Sequence, residues 1–160
     1  MGEQGSEAFG LQPGDGRRQK KSVPVVAATH GGKGDPEVVL DQTRPETVLA
    51  APSSWCPNPA YTSCLRVRGR SMMPLLHDGY IIAVDKSQNN RRKLYGQIVV
   101  AAHKEQGLVV SRLQRFDGTE VLVPENREHD SIAISSSNWR IVAKILWWIG
   151  RASQAGVDAA

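Results

Sequence analysis

"LRVRGRSMMPLLHDGYIIAVDKS", residues 65–87, sets one serine in a turn between two runs that read as strands. Upstream, "CLRVRG" alternates apolar and charged residues; downstream, "YIIAVD" is β-branched and apolar, the signature of a short buried strand. Gly69 permits a sharp backbone turn, "SMMPLL" suits at most one turn of helix, and Asp78-Gly79 closes the excursion. A serine hydroxyl is a weak nucleophile at neutral pH unless a base takes its proton and donors meet the oxyanion it creates. On its own, Ser71 reads more readily as a cap on the short turn before Pro74 than as a nucleophile.

Working outward, the same texture continues. "VPVVAA", "EVVL", "ETVLAA", "QIVVAAH", "LVVSRLQR", "TEVLVP", "SIAI" and "WRIVAKILWWIG" are short apolar runs broken by Gly, Pro, Asn and Asp. "KEQG" (104–107) and "FDGT" (116–119) have hairpin-turn chemistry, so residues 94–124 are expected to form a three-stranded meander. No stretch from 23 to 150 carries a long amphipathic helix, and no repeat is present. The expectation is a mainly β domain of short strands with at most short helical turns.

At 160 residues the chain suits one domain with tails. Residues 1–22 hold four glycines before Asp15 and no apolar periodicity, and read as a flexible N-terminal arm; residues 151–160 read as a disordered tail. The longest apolar run, Ile145 to Ile149, is far short of the ~20 residues of a membrane helix. With no secretory leader visible, the expected location is the cytoplasm, where Cys56 and Cys64 stay reduced. The formal charge of +4 is modest, and "GRRQKK" (16–21) reads as a solvated linker more readily than as a DNA contact. His30, His77, His103 and His129 show no ligand spacing with cysteine or carboxylate, so neither metal nor cofactor is expected.

Three segments in order, "LRVRGRSMMPLLHDGYIIAVDKS", "GQIVVAAHKEQGLVVSRLQ" and "VLVPENREHDSIAI", resemble the C-terminal domain of LexA-type repressors and their UmuD-like relatives. These are serine-lysine peptidases, a group that also includes bacterial signal peptidases. The resemblance covers roughly residues 23–150, with 23–50 corresponding to a cleavage-site segment and 63–150 to the catalytic core. Its sharpest elements are Gly69, Ser71, Met72, Pro74, Asp78, Gly79, Gly96 and "VPEN" at 123–126. It implies a LexA/signal-peptidase-like β fold of strongly bent strands that dimerises and cuts its own upstream arm, often when prompted by a recombinase filament. Ser71 is then the nucleophile, and the backbone amides of Arg70 and Ser71 are the oxyanion hole. The matching cleavage position is Gly31-Gly32, with His30-Gly31 one register away.

One departure touches the chemistry. The family's general base is a lysine in a pattern like "V-x-V-K-R-L", and the matching "LVVSRL" (108–113) puts Ser111 there. A hydroxyl cannot accept the proton at neutral pH, and Arg112, on the opposite face of the strand, stays protonated. Lys104, His103 and His77 are the other bases weighed nearby. Arg70 and Tyr80 also depart from the family's usual residues. Two readings follow: a self-cleaving peptidase domain with impaired autoproteolysis, or an inactive dimerisation module of the same fold. Residues 1–22 cannot build a three-helix DNA-binding unit, so any DNA contact is expected through a domain absent from this chain. The chain is then a repressor fragment or a stand-alone UmuD-like protein. Trp147 and Trp148, adjacent on a strand, point to opposite faces, and one of them is expected at the dimer contact; Trp139 is expected in the core.

Overall fold

The computed structural model describes the backbone of residues 20–26, 47–136 and 138–151, with side chains for 48–136 and 138–151. Its strands are β1 (Lys20–Val26), β2 (Thr47–Pro52), β3 (Thr62–Arg66), β4 (Ile81–Asp85), β5 (Ile98–His103), β6 (Gly107–Phe116), β7 (Thr119–Val123), β8 (Ile132–Ala133) and β9 (Trp139–Ile149). They form one sheet in the order β2-β1-β3-β4-β9-β5-β6-β7-β8. The pairing is antiparallel throughout except where β1 lies parallel to β3. The fold is therefore mainly β, with 3₁₀ turns at Ser53–Trp55, Pro59–Tyr61 and Arg91–Lys93. Among the described residues no helix is long and apolar enough to cross a membrane.

The meander expected at 94–124 is β5-β6-β7. Its second turn places Asp117 (φ 47°) and Gly118 (φ 83°) both in the left-handed region, as a two-residue hairpin turn of this hand requires. At the N-terminal side, Lys20, Lys21 and Ser22, read from sequence as the end of the arm, are paired in β1 with Pro52, Ala51 and Ala50. Edge pairing through backbone groups needs no apolar pattern, so sequence periodicity did not signal it. "EVVL", residues 1–19 and residues 152–160 lie outside the described residues.

Burial explains why the central strands are apolar on both faces. Val100 and Ala102 of β5 join a core with Leu65, Val67, Ile82, Val84, Leu108 and Val142, roofed by Met72 and Leu76 of the serine turn. Val99 and Ala101 of the same strand face a second core with Leu94, Leu113, Leu122, Ile134, Trp139 and Ile141. A third, smaller core gathers Ala51, Cys56, Cys64 and Ala83 beneath Trp147. β9 runs through all three because it is bulged twice. Val142 is extra between the Val100–Ala143 and Ala101–Ile141 pairs, and Leu146 between Val84–Ile145 and Ala83–Trp147. Each extra residue bends the strand and switches which side chains face which core.

Trp139 is buried, and the two adjacent tryptophans part company. Trp147 is half-buried, its ring 5.7 Å from that of Trp55 and its Nε1 donating to the Trp55 carbonyl at 3.2 Å, whereas Trp148 and Ile149 are each 40% exposed. Tyr80 is accommodated by a gap. A Cβ on Gly150 would lie 2.2 Å from its ring, so glycine there lets the tyrosine pack against the first core.

Candidate active site

The turn that carries Ser71 is pinned from two sides. Gly69, at φ +87°, donates its amide to Asp78 Oδ1 at 2.8 Å, so Asp78 closes the excursion begun at Val67. A Cβ at Gly69 would meet nothing within 4 Å. What requires glycine here is the left-handed backbone, which costs any other L-residue about 1–2 kcal/mol. From the far end of the chain, Asn126 donates its Nδ2 to the Arg70 carbonyl at 3.0 Å and its backbone amide to the Ser71 carbonyl at 3.0 Å. A trans peptide is planar, so fixing the Arg70 carbonyl fixes the opposite edge of that plane, which is the Ser71 N–H. Asn126 thereby orients one of the two donors expected at the oxyanion.

Asn126 is itself held. Its Oδ1 accepts from the Glu128 amide at 3.0 Å, and its carbonyl accepts from the His129 amide at 3.1 Å. Next to it, Glu125 accepts from Arg112 Nε at 2.6 Å, while Arg112 Nη1 donates to the Gly96 carbonyl at 2.7 Å. Arg112 thus fastens the 123–129 loop to β6 and takes no part as a base.

Half-buried Ser71 lines a cavity of about 300 Å³. Its walls are Leu65 to Val67 of β3 and its continuation, the turn residues Arg68 to Met72, and Leu108 to Val110 of β6, with His129 at the rim. Ser111 is 3% exposed and pairs across the strands with Val99. It shares its face of β6 with Val109, which lines the cavity, and with Leu113, which does not. Arg70 lines the cavity too. His30, Gly31 and Gly32 lie outside the described residues.

The other bases weighed from sequence are engaged elsewhere. His103 stacks on Trp139 at 4.7 Å, and its Nδ1 accepts from the Glu105 and Gln106 amides at 3.2 Å each, shaping the β5–β6 turn. Lys104 is exposed in that turn, and His77 stacks on Tyr80 at 5.2 Å. The thiols offer no alternative nucleophile: Cys56 and Cys64 are buried, and burial, with Cys56 alongside, pushes the Cys64 thiol up to about 12. Among the described residues no group of three or more His, Cys, Asp or Glu side chains is placed to hold a metal ion. Sequence reasoning missed Asn126 and His129. "VPEN" signalled the first as a motif without a role, and nothing local signalled the second, whose relation to Ser71 exists only once β6 and β7 have folded back.

The chain is similar to known proteins. A family model described as Peptidase S24-like matches residues 24–146. A LexA repressor of Hahella chejuensis is 30% identical over 120 residues, covering 74% of this chain and 56% of that protein. A LexA repressor of Aeromonas salmonicida is 40% identical over 74 residues, covering 46% of this chain and 34% of that protein. The chain therefore spans about half or less of the length of these relatives.

Proposed function

This chain belongs to the Peptidase S24-like family, and from that premise we propose that it is a self-cleaving serine peptidase domain of a LexA- or UmuD-like regulator, its autoproteolysis impaired because Ser111 stands at the general-base position. The observation that carries the reading is the Ser71 turn, gripped by Asp78 and Asn126 at the wall of a cavity of about 300 Å³. Ser71 attacks a carbonyl of the upstream segment, and the amides of Arg70 and Ser71 receive the oxyanion. Strand register supports the choice of segment. β1 runs parallel to β3 and ends with Val26 opposite Leu65, so the strand leads toward the turn that carries Ser71. The bond proposed is Gly31-Gly32, with His30-Gly31 next, as the resemblance implies.

Two wider roles are carried over from the resemblance to LexA- and UmuD-like regulators. The parent protein is a transcriptional repressor or a related DNA-damage-response factor of the cytoplasm, its DNA contacts lie outside this chain, and a recombinase filament is the activator of cleavage. Subunits pair through the face carrying Trp148, which is 40% exposed, since Trp147 is already covered by Trp55. Light scattering of Trp148→Glu is expected to give a monomer where the unmodified chain is a dimer; a monomeric unmodified chain at micromolar concentration would refute the pairing.

Docking of the segment is tested by hydrogen exchange. Amides of residues 27–33 are expected to exchange several-fold more slowly than those of residues 1–15, because the backbone is held in the cleft. Equal rates would remove the segment from the site. The second reading, an inactive dimerisation module, rests on the loss of lysine at 111, and it predicts no Ser71-dependent cleavage under any condition.

A further inference from the structure

The cavity that holds Ser71 is lined by one side chain able to accept a proton near neutral pH, and it is not the residue at the family's base position. Its charged lining groups are Arg66, Arg68 and Arg70, whose guanidinium groups stay protonated throughout. The remaining titratable group at its wall, among the described residues, is His129. Its backbone is tied to the serine turn by two consecutive hydrogen bonds: His129 N–H to the Asn126 carbonyl at 3.1 Å, and Asn126 N–H to the Ser71 carbonyl at 3.0 Å. The loop that orients Ser71 therefore also delivers an imidazole to the same cavity. Resting on the peptidase reading above, we infer that His129 is the general base for Ser71 in this chain, a serine-histidine pair in place of serine-lysine.

The step balances without any further reactant. As Ser71 Oγ bonds to the scissile carbonyl carbon, its proton passes to the neutral imidazole and the carbonyl electron pair moves onto oxygen, opposite the Ser71 amide. When the carbonyl re-forms, the C–N bond breaks and the imidazolium returns the proton to the departing amine. Water then attacks the Ser71 ester, losing its proton to the imidazole, and as the acyl–oxygen bond breaks the imidazolium returns that proton to Ser71 Oγ, releasing the acid and restoring both groups. His129 is exposed on a loop rather than packed on a strand, so it is less firmly aimed than a buried lysine, and the expected reaction is slow. A general base works only in its deprotonated form, so the rate should rise with pH and then level. The charged groups around it are Arg66, Arg68 and Arg70 among the cavity's lining residues and Glu125, Arg127, Glu128 and Asp130 on its own loop.

The test reads Ser71 directly, by labelling the full chain with a fluorophosphonate probe from pH 5 to 10 and weighing self-cleavage fragments in parallel. Labelling of the unmodified chain should rise with pH and then level, and should vanish in Ser71→Ala. In His129→Ala it should fall by ~10²-fold, within the range a general base contributes, and free imidazole should return part of it. Labelling unchanged in His129→Ala, or a loss that imidazole does not restore while the circular dichroism is native, would overturn the inference. A chain that labels only once Ser111 is replaced by lysine would overturn it too, and leave the peptidase reading standing. If Ser71 is labelled in no variant, Ser111→Lys included, the peptidase reading itself falls and takes His129 with it.

Discussion

Ser111→Lys should cut itself ~10²–10⁴-fold faster than the unmodified chain at pH 9, with the rate still climbing where a histidine-driven reaction has levelled. Position 111 is 3% exposed, faces the interior beside Val99, and shares its strand face with Val109 at the cavity wall. An amine on a four-carbon stem there loses hydration, which favours its neutral form and lowers its pKa from the usual ~10.4. The stability of the variant should follow the same ionisation. A lysine whose folded pKa is depressed destabilises the fold at every pH below the unfolded value, so the variant should gain stability as pH rises toward 10. A stability that falls with rising pH would show that the new amine does not sit in the interior.

The largest loss of stability is expected at Asp85→Ala, about 2–4 kcal/mol by urea denaturation, because the donors around a fully buried carboxylate are left unpaired. Asp85 is 0% exposed at the end of β4. Its Oδ1 accepts from Ser87 N at 2.9 Å and Ser87 Oγ at 2.6 Å, and its Oδ2 accepts from Asn58 Nδ2 and Gln88 Nε2 at 3.0 Å each. Burial pushes this carboxyl up, but the donors of Ser87, Asn58 and Gln88 outweigh it and hold the group below its usual value. A depressed folded pKa means that the contribution is complete above the unfolded pKa and disappears as pH falls through the folded one. Asp85→Asn should accordingly flatten the acid side of the stability profile. A loss under 1 kcal/mol for Asp85→Ala would mean that water takes over the orphaned donors.

How far the sequence reveals this molecule differs from element to element. β4 to β7 are legible because their side chains alternate or are wholly apolar, and because Asp117-Gly118 fits the hairpin turn its backbone adopts. β9 is legible as a strand but not as a twice-bulged one: "WRIVAKILWWI" is apolar nearly throughout, and such a run does not say where an extra residue enters. Its place between β4 and β5 is equally silent, since the partners are far apart in sequence. Arg91, within "NNRRK" (89–93), is a clamp that no local pattern announces, donating to Glu120 Oε2 at 2.7 Å and to the Trp139 carbonyl. At the site, Ser71 and Gly69 stand out because a nucleophile turn is local. Asn126 and His129 reach that turn only through the fold.

The central claim is that Ser71 is a peptide-cleaving nucleophile served by the chain's own upstream segment. Its most direct test is the intact mass of Ser111→Lys, with and without Ser71→Ala, after incubation at pH 9. Two fragments joined between residues 30 and 32 in the first protein, and a single uncut chain in the second, are the predicted result. A folded Ser111→Lys protein that stays whole, or one that is cut equally well without Ser71, would contradict it.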